Sequence, residues 1–118
     1  MRHHQGGRKL GRKKGQRTAL LRSLARSLVL EEGIITTVAK AKELRPFVEA
    51  LVSASKNGTV ASRRIVTMRM GASNTATKKL YETIAPRYKK RAGGYIRIVR
   101  LGKIGKQATE SARIEFVK

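Results

Sequence analysis

Apolar residues recur with a helical period along most of the chain and with an alternating period only near its end. Leu20, Leu21, Leu24, Ala25, Leu28 and Val29 follow a helical spacing, which predicts a first helix from Gln16 with one apolar stripe. Gly33 is its predicted stop, and the β-branched run Ile34-Ile35-Thr36-Thr37-Val38 reads as a strand. A second helix follows, capped near Thr37, with Ala41, Leu44, Val48, Leu51 and Val52 turned inward. Pro46 interrupts that stripe and predicts a kink or a break, because it removes one backbone donor; Asn57-Gly58 ends the helix. Thr59 can cap a third helix reaching about Met70, with Gly71 beyond it. Ser73 or Asn74 can cap a fourth, with Ala76, Leu80, Tyr81 and Ile84 on one face and Pro86 past its end.

The last third changes period. Tyr95 to Leu101 and Ala112 to Val117 read as strands, with Ala112, Ile114 and Phe116 on one face and Arg113 and Glu115 on the other. Gly102 and Gly105 fall in the connection between them. The expected fold class is α+β: about four helices packed on a small, about three-stranded sheet. No internal repeat is present. Ahead of these elements, the opening residues with Gly6, Gly7, Gly11 and Arg12-Lys13-Lys14 have no apolar periodicity. Residues 1–15 therefore read as an extended basic arm, ordered only on a partner, and residues 16–118 as one α+β domain. A chain of 118 residues leaves no room for a second core.

Charge changes this picture from a fold into a class of partner. The chain has 28 Lys and Arg against 7 acids, a formal charge of +21. An excess of that size costs self-repulsion in a compact state and makes sense when a polyanion cancels it. Hydrophobic residues are 40% of the chain, too many for a disordered basic tail. The placement matters more than the total. Met1 to Arg26 holds nine cations and no acid, Ser27 to Pro86 nine cations and five acids, and Arg87 to Lys106 eight cations and no acid. Solvated helix faces mix signs through i,i+4 pairs. These two flanking segments do not.

Catalysis needs groups that converge, and the chain supplies few. The two histidines, His3 and His4, lie in the arm, where a base cannot be held to a nucleophile. The amino terminus with His3 could chelate copper or nickel in vitro, but an imidazole contacting nucleic acid is the stronger reading. Glu31-Glu32 point to different helix faces, and Glu43 and Glu49 do not share one. No metal-ligand spacing occurs, and the absence of cysteine excludes disulfides and thiolate sites and fits a reducing cytosol. The glycine pairs lack the rest of a phosphate-loop motif. No apolar run approaches the roughly 20 residues of a membrane helix. The expectation is no enzyme, no cofactor, no metal, no membrane and no small-molecule substrate. An Arg-rich, acid-free start also describes mitochondrial transit peptides.

What remains is a basic surface whose residue types suit RNA. Arginine gives planar paired donors for phosphate and can stack on bases, while lysine is a mobile point charge. The stretch Pro86-Arg87-Tyr88-Lys89-Lys90-Arg91-Ala92-Gly93-Gly94-Tyr95 joins four cations, two tyrosines and a glycine turn. Tyr88 and Tyr95 have two readings, stacking on unpaired bases or capping the edge of the core. Arg22 and Arg26, one turn apart, fit phosphate contact, and Met68 and Met70 read as core filler. Two basic segments around a compact body suit an irregular folded RNA better than a straight duplex. A DNA-compacting protein shares the charge, and an RNA-modifying enzyme would need a pocket that the sequence does not announce.

Several fragments resemble a known family. They are Met1-Arg2-His3, Gly7-Arg8-Lys9-Leu10, Ile35-Thr36-Thr37, Lys40-Ala41-Lys42-Glu43-Leu44-Arg45, Ala85-Pro86-Arg87-Tyr88, Arg91-Ala92-Gly93-Gly94-Tyr95-Ile96-Arg97 and Ala112-Arg113-Ile114-Glu115-Phe116-Val117. In this order they resemble the bacterial large-subunit ribosomal proteins of the L17 family. The resemblance implies a cytoplasmic, ribosomal, structural protein on 23S ribosomal RNA, beside other large-subunit proteins near the peptide exit. It also implies that the basic start is mature sequence. RNA-contacting positions implied or suggested by charge are Arg2, His3, Arg8, Lys9, Arg12, Lys13, Lys14 and Arg17 in and beside the arm. Lys40, Lys42 and Arg45 follow on the second helix, then Arg87, Lys89, Lys90, Arg91, Gly93, Gly94, Tyr95 and Arg97. Gln16 stands where the family has histidine, Ala39 and Pro46 shift its proline pattern, and the last hairpin lacks its usual acidic-Gly and Ala-Pro elements.

Overall fold

The helical stripes and β-branched runs become seven elements in the computed structural model, which describes residues 14–103 and 109–118. In chain order these are α1 (Lys14–Glu31), β1 (Gly33–Thr37), α2 (Val38–Ser55), α3 (Val60–Arg69), α4 (Asn74–Lys79), β2 (Ile96–Lys103) and β3 (Glu110–Phe116). Most of the expected arm, with Arg2, His3, Arg8, Lys9, Arg12 and Lys13, lies outside the described residues, as does the middle of the β2–β3 connection.

Local chemistry sets the boundaries. Thr37, Thr59 and Ser73 are extended residues whose hydroxyls accept from Lys40, Ser62 and Ala76 backbone N–H groups, capping α2, α3 and α4. All three caps are neutral, and none of the four helices has an acid in its first turn. Their positive ends therefore stay uncompensated.

The three strands form one antiparallel sheet in the order β1-β3-β2, so the last strand of the chain is the central one. Register sets Ile34, Ile114 and Ile98 in one row across the sheet, with Ile114 fully buried. Ala112, Ile114 and Phe116 face the helices, whereas Arg113 is exposed on the other side. The β2–β3 pairing slips between Arg100 and Gly102, and Gly102 takes a φ of 76° there. The core joins Leu28 and Val29 of α1, Leu44, Val48, Leu51 and Val52 of α2, Met70, Leu80 and Ile84 to that inner face. Each such side chain is worth about 1.5–3 kcal/mol when fully buried.

Four expectations change. Gly33 does not make the left-handed turn after α1; Glu32 does, with a φ of 64°, and Gly33 is already in β1. A Cβ at 33 would lie 2.4 Å from the Arg113 guanidinium, the mobile end of an exposed side chain, and 3.3 Å from Glu115 Cβ across the sheet. Pro46 neither breaks nor ends α2, which runs on to Ser55. The acceptor it leaves free belongs to exposed Lys42, where water can take the bond. The fourth helix does not stop before Pro86. It widens into a π-helical turn (Leu80–Ile84) and closes with a last α-helical turn (Ala85–Arg87) that contains the proline. Such a widened turn relieves the clash of a proline ring with the preceding carbonyls. Met70 is core as expected, but Met68 is exposed.

Candidate nucleic-acid interface

The segment from α4 to β2 carries the densest run of expected contacts, and it is fastened from below. The Tyr95 ring is buried, and its hydroxyl meets Ser53 Oγ at 3.2 Å and receives the Lys56 ammonium at 2.8 Å. Lys56 also donates to the Arg91 carbonyl, and the Tyr95 hydroxyl lies 3.2 Å from that same oxygen. Lys56 beside the phenol, then Ser53, holds the Tyr95 hydroxyl below the ordinary tyrosine pKa. Tyr88 packs 5.2 Å from Tyr95 and 6.3 Å from Phe116, and its hydroxyl donates to the Val117 carbonyl. Of the two readings of these tyrosines, the structure takes the core one for both. Neither ring face is open for stacking, so Tyr95 supports the loop from inside. What the loop turns outward is Lys89, Lys90 and Arg91, with Gly94 in the left-handed region at a φ of 65°.

Arg87 and Arg97 border one basin with Arg113, Lys118, Glu32 and Glu115. Glu32 takes Arg87 at 2.7 Å and Lys79 at 3.3 Å, and Lys79 also donates to the Leu30 carbonyl at 2.7 Å. These bonds tie the end of α1 to the fourth helix. The Arg87 hydrogen bond, opposed by partial burial, keeps the Glu32 carboxyl below its ordinary pKa. Glu115 receives Arg113 at 2.6 Å and Arg97 at 2.8 Å and is held low for the same reason, by Arg113 first. Four cations thus share two carboxylates, and with Glu31 the basin is lined by four cations and three acids.

The other expected contacts are more dispersed. Lys14 is exposed and Arg17 half-buried at the start of α1. Lys42 and Arg45 are exposed on α2, Lys40 half-buried. Arg45 approaches Glu49 at 4.0 Å, and Glu49 accepts the Ile96 backbone N–H at 3.3 Å, which places Arg45 beside the start of β2. Arg26 is a correction. Its spacing from Arg22 fits phosphate contact, whereas its guanidinium donates to the Met70 carbonyl at 3.1 Å, closing the end of α3. Among the described residues no three His, Cys, Asp or Glu side chains group as a metal site. No helix among them is long and apolar enough to cross a membrane.

A family model described as Ribosomal protein L17 matches residues 20–117. The chain belongs to the ribosomal protein L17 family. This is a family of structural, non-enzymatic proteins. Curated relatives called "Large ribosomal subunit protein bL17" agree along nearly the whole length. That of Sphingopyxis alaskensis is 49% identical over 117 residues, covering 99% of this chain and 84% of the relative. That of Koribacter versatilis is also 49% identical, over 99% of this chain and 72% of the relative. That of Zymomonas mobilis is 46% identical, over 99% and 83%. For an L17-family chain, the side chains that sequence reasoning overlooked are those that build the loop's support, Lys56 and Ser53. A lysine just before Asn57-Gly58 has no periodicity to mark it; its role exists only because β2 returns beneath α2.

Proposed function

We propose that the chain is a structural constituent of the large ribosomal subunit that binds 23S rRNA through its basic arm and its Lys89–Gly94 loop. The observation that carries this reading is the loop itself: three consecutive exposed cations on a turn pinned by Tyr95 and Lys56. A pinned loop loses little entropy on docking, and its glycines let RNA backbone approach closely. The basin of Arg87 and Arg97, and Lys14, Arg17, Lys40, Lys42 and Arg45, extend the same positive surface. The arm ahead of α1 supplies further phosphate contacts and orders on RNA, while the residues from Lys14 onward form the domain that carries it. Membership of the L17 family supports ribosomal RNA, and with it a ribosomal location near the peptide exit beside other large-subunit proteins. Binding is driven by counterions released from neutralised phosphates.

A salt titration of binding to 23S rRNA tests this. With about eight phosphates neutralised, affinity falls by about 10³ or more between roughly 50 and 200 mM salt. Replacing Lys89, Lys90 and Arg91 by alanine lowers the slope by about one for each phosphate contact removed. A flat response overturns the phosphate-neutralising mechanism, and equal affinity for duplex DNA in competition overturns the reading in favour of non-specific polyanion binding.

A further inference from the structure

The third helix has a face that neither the core nor the cation clusters use. On α3, Val60 is 67% exposed, Met68 61% and Ile65 47%. Helical spacing puts Val60, Arg64 and Met68 in one row and Ala61, Ile65 and Met68 in the next. The opposite face is well anchored. Val66 and Met70 are fully buried, and the Ser62 hydroxyl bonds the Ala54 carbonyl at 2.6 Å and the Tyr81 hydroxyl at 2.9 Å. Arg63 lies over the Tyr81 ring at 5.1 Å. The apolar face is therefore held outward by a rigid helix. Shallow grooves flank it, one along Val60, Arg64 and Met68 and the other along Ala61 and Ile65.

We infer that the Val60–Arg64–Met68 face of α3 docks a neighbouring large-subunit protein through an apolar segment that carries a carboxylate. The inference rests on the ribosomal reading above and goes beyond it. RNA suits this face poorly. Its side chains are aliphatic rather than aromatic, and desolvating them against phosphates and sugars yields little. A second copy of the chain suits it no better. The helix has three arginines and no acid, and among the described residues Arg64 and Arg69 have no acidic partner, so two copies would oppose like charges. A protein segment with apolar side chains and one carboxylate satisfies both features, since an exposed cation within an apolar patch selects its partner by charge.

Methionine oxidation reads this face in the unaltered chain, because Met68 lies on it and Met70 is buried at the same helix end. In the free protein, dilute peroxide oxidises Met68 and spares Met70. In purified large subunits Met68 oxidation slows by about tenfold or more. Equal rates in the two states overturn the proposal. Met68→Cys then identifies the occupant, since the chain has no other cysteine. Coupled to a benzophenone maleimide and carried into subunits, it crosslinks to a protein peptide with Asp or Glu within a few residues. A crosslink to rRNA, to a second copy, or to nothing overturns the proposal; Ile65→Cys serves as a second attachment point. Arg64→Glu lowers the protein crosslink by about fivefold or more, and an unchanged yield refutes the carboxylate. If the chain is missing from purified subunits, the ribosomal assignment fails first and this proposal with it.

Discussion

Tyr95 shows how much one buried hydroxyl organises. Its ring fills core space against Tyr88, while its oxygen gathers Ser53, Lys56 and the Arg91 carbonyl at the base of the basic loop. Tyr95→Phe keeps the packing and leaves the Lys56 ammonium and the Arg91 carbonyl with fewer partners. The expected cost is about 1–2 kcal/mol, read as a lower thermal midpoint with unchanged circular dichroism. Amide exchange in residues 89–94 should rise in the same variant, because the loop's anchor is gone. An unchanged midpoint would mean that Lys56 alone holds the loop. The tyrosine was legible as the start of a strand after two glycines, with stacking and core readings both open, but its inward direction was not. Alternation along β2 would set Tyr95 opposite Ile96 and Ile98, yet Tyr95 and Ile96 are both buried, because the paired strand begins only at Ile96.

At the scale of elements, Glu32 joins three of them. It ends α1 with a left-handed backbone, precedes β1, and its carboxylate holds Arg87 and Lys79 from the fourth helix. Because its pKa is lowered in the fold, its contribution is complete above the ordinary glutamate value and is lost as pH falls through the folded value. Thermal stability should be nearly flat from about pH 7 to 5 and decline below about pH 4.3, the value for a free glutamate. Glu32→Gln should weaken that acid decline and lower neutral stability by no more than about 1 kcal/mol, since the pair is partly solvated. A pH scan of thermal midpoints for both proteins checks this, and identical acid limbs would sink it. Sequence marked Gly33 as the punctuation here because glycine is the usual residue at such a turn. The residue before it turns instead, its carboxylate tied by two cations, and the glycine lies in β1 paired with Glu115.

For the molecule as a whole, a charge of +21 acts in opposite directions on folding and on binding. Salt screens cation–cation repulsion within the fold but weakens attraction to phosphate. With 28 cations and 7 acids, repulsion outweighs the few ion pairs. The thermal midpoint of the free protein should therefore rise by several degrees, roughly the effect of 1 kcal/mol, between about 50 and 200 mM salt. Calorimetry beside the binding titration separates the two effects, and a midpoint that falls with salt would show that ion pairs dominate. Periodicity and caps by themselves determined four helices, three strands and an α+β class, because each depends on neighbours within a few residues, and the net charge set the expectation of a polyanionic partner. The order of fragments carried the family. Only tertiary structure decided what depends on distant partners: β3 at the centre of the sheet, the tyrosines turned inward, and Arg26 spent on a helix end. The open apolar face of α3 belongs with these, because a helical stripe reads the same in sequence whether another element covers it or none does.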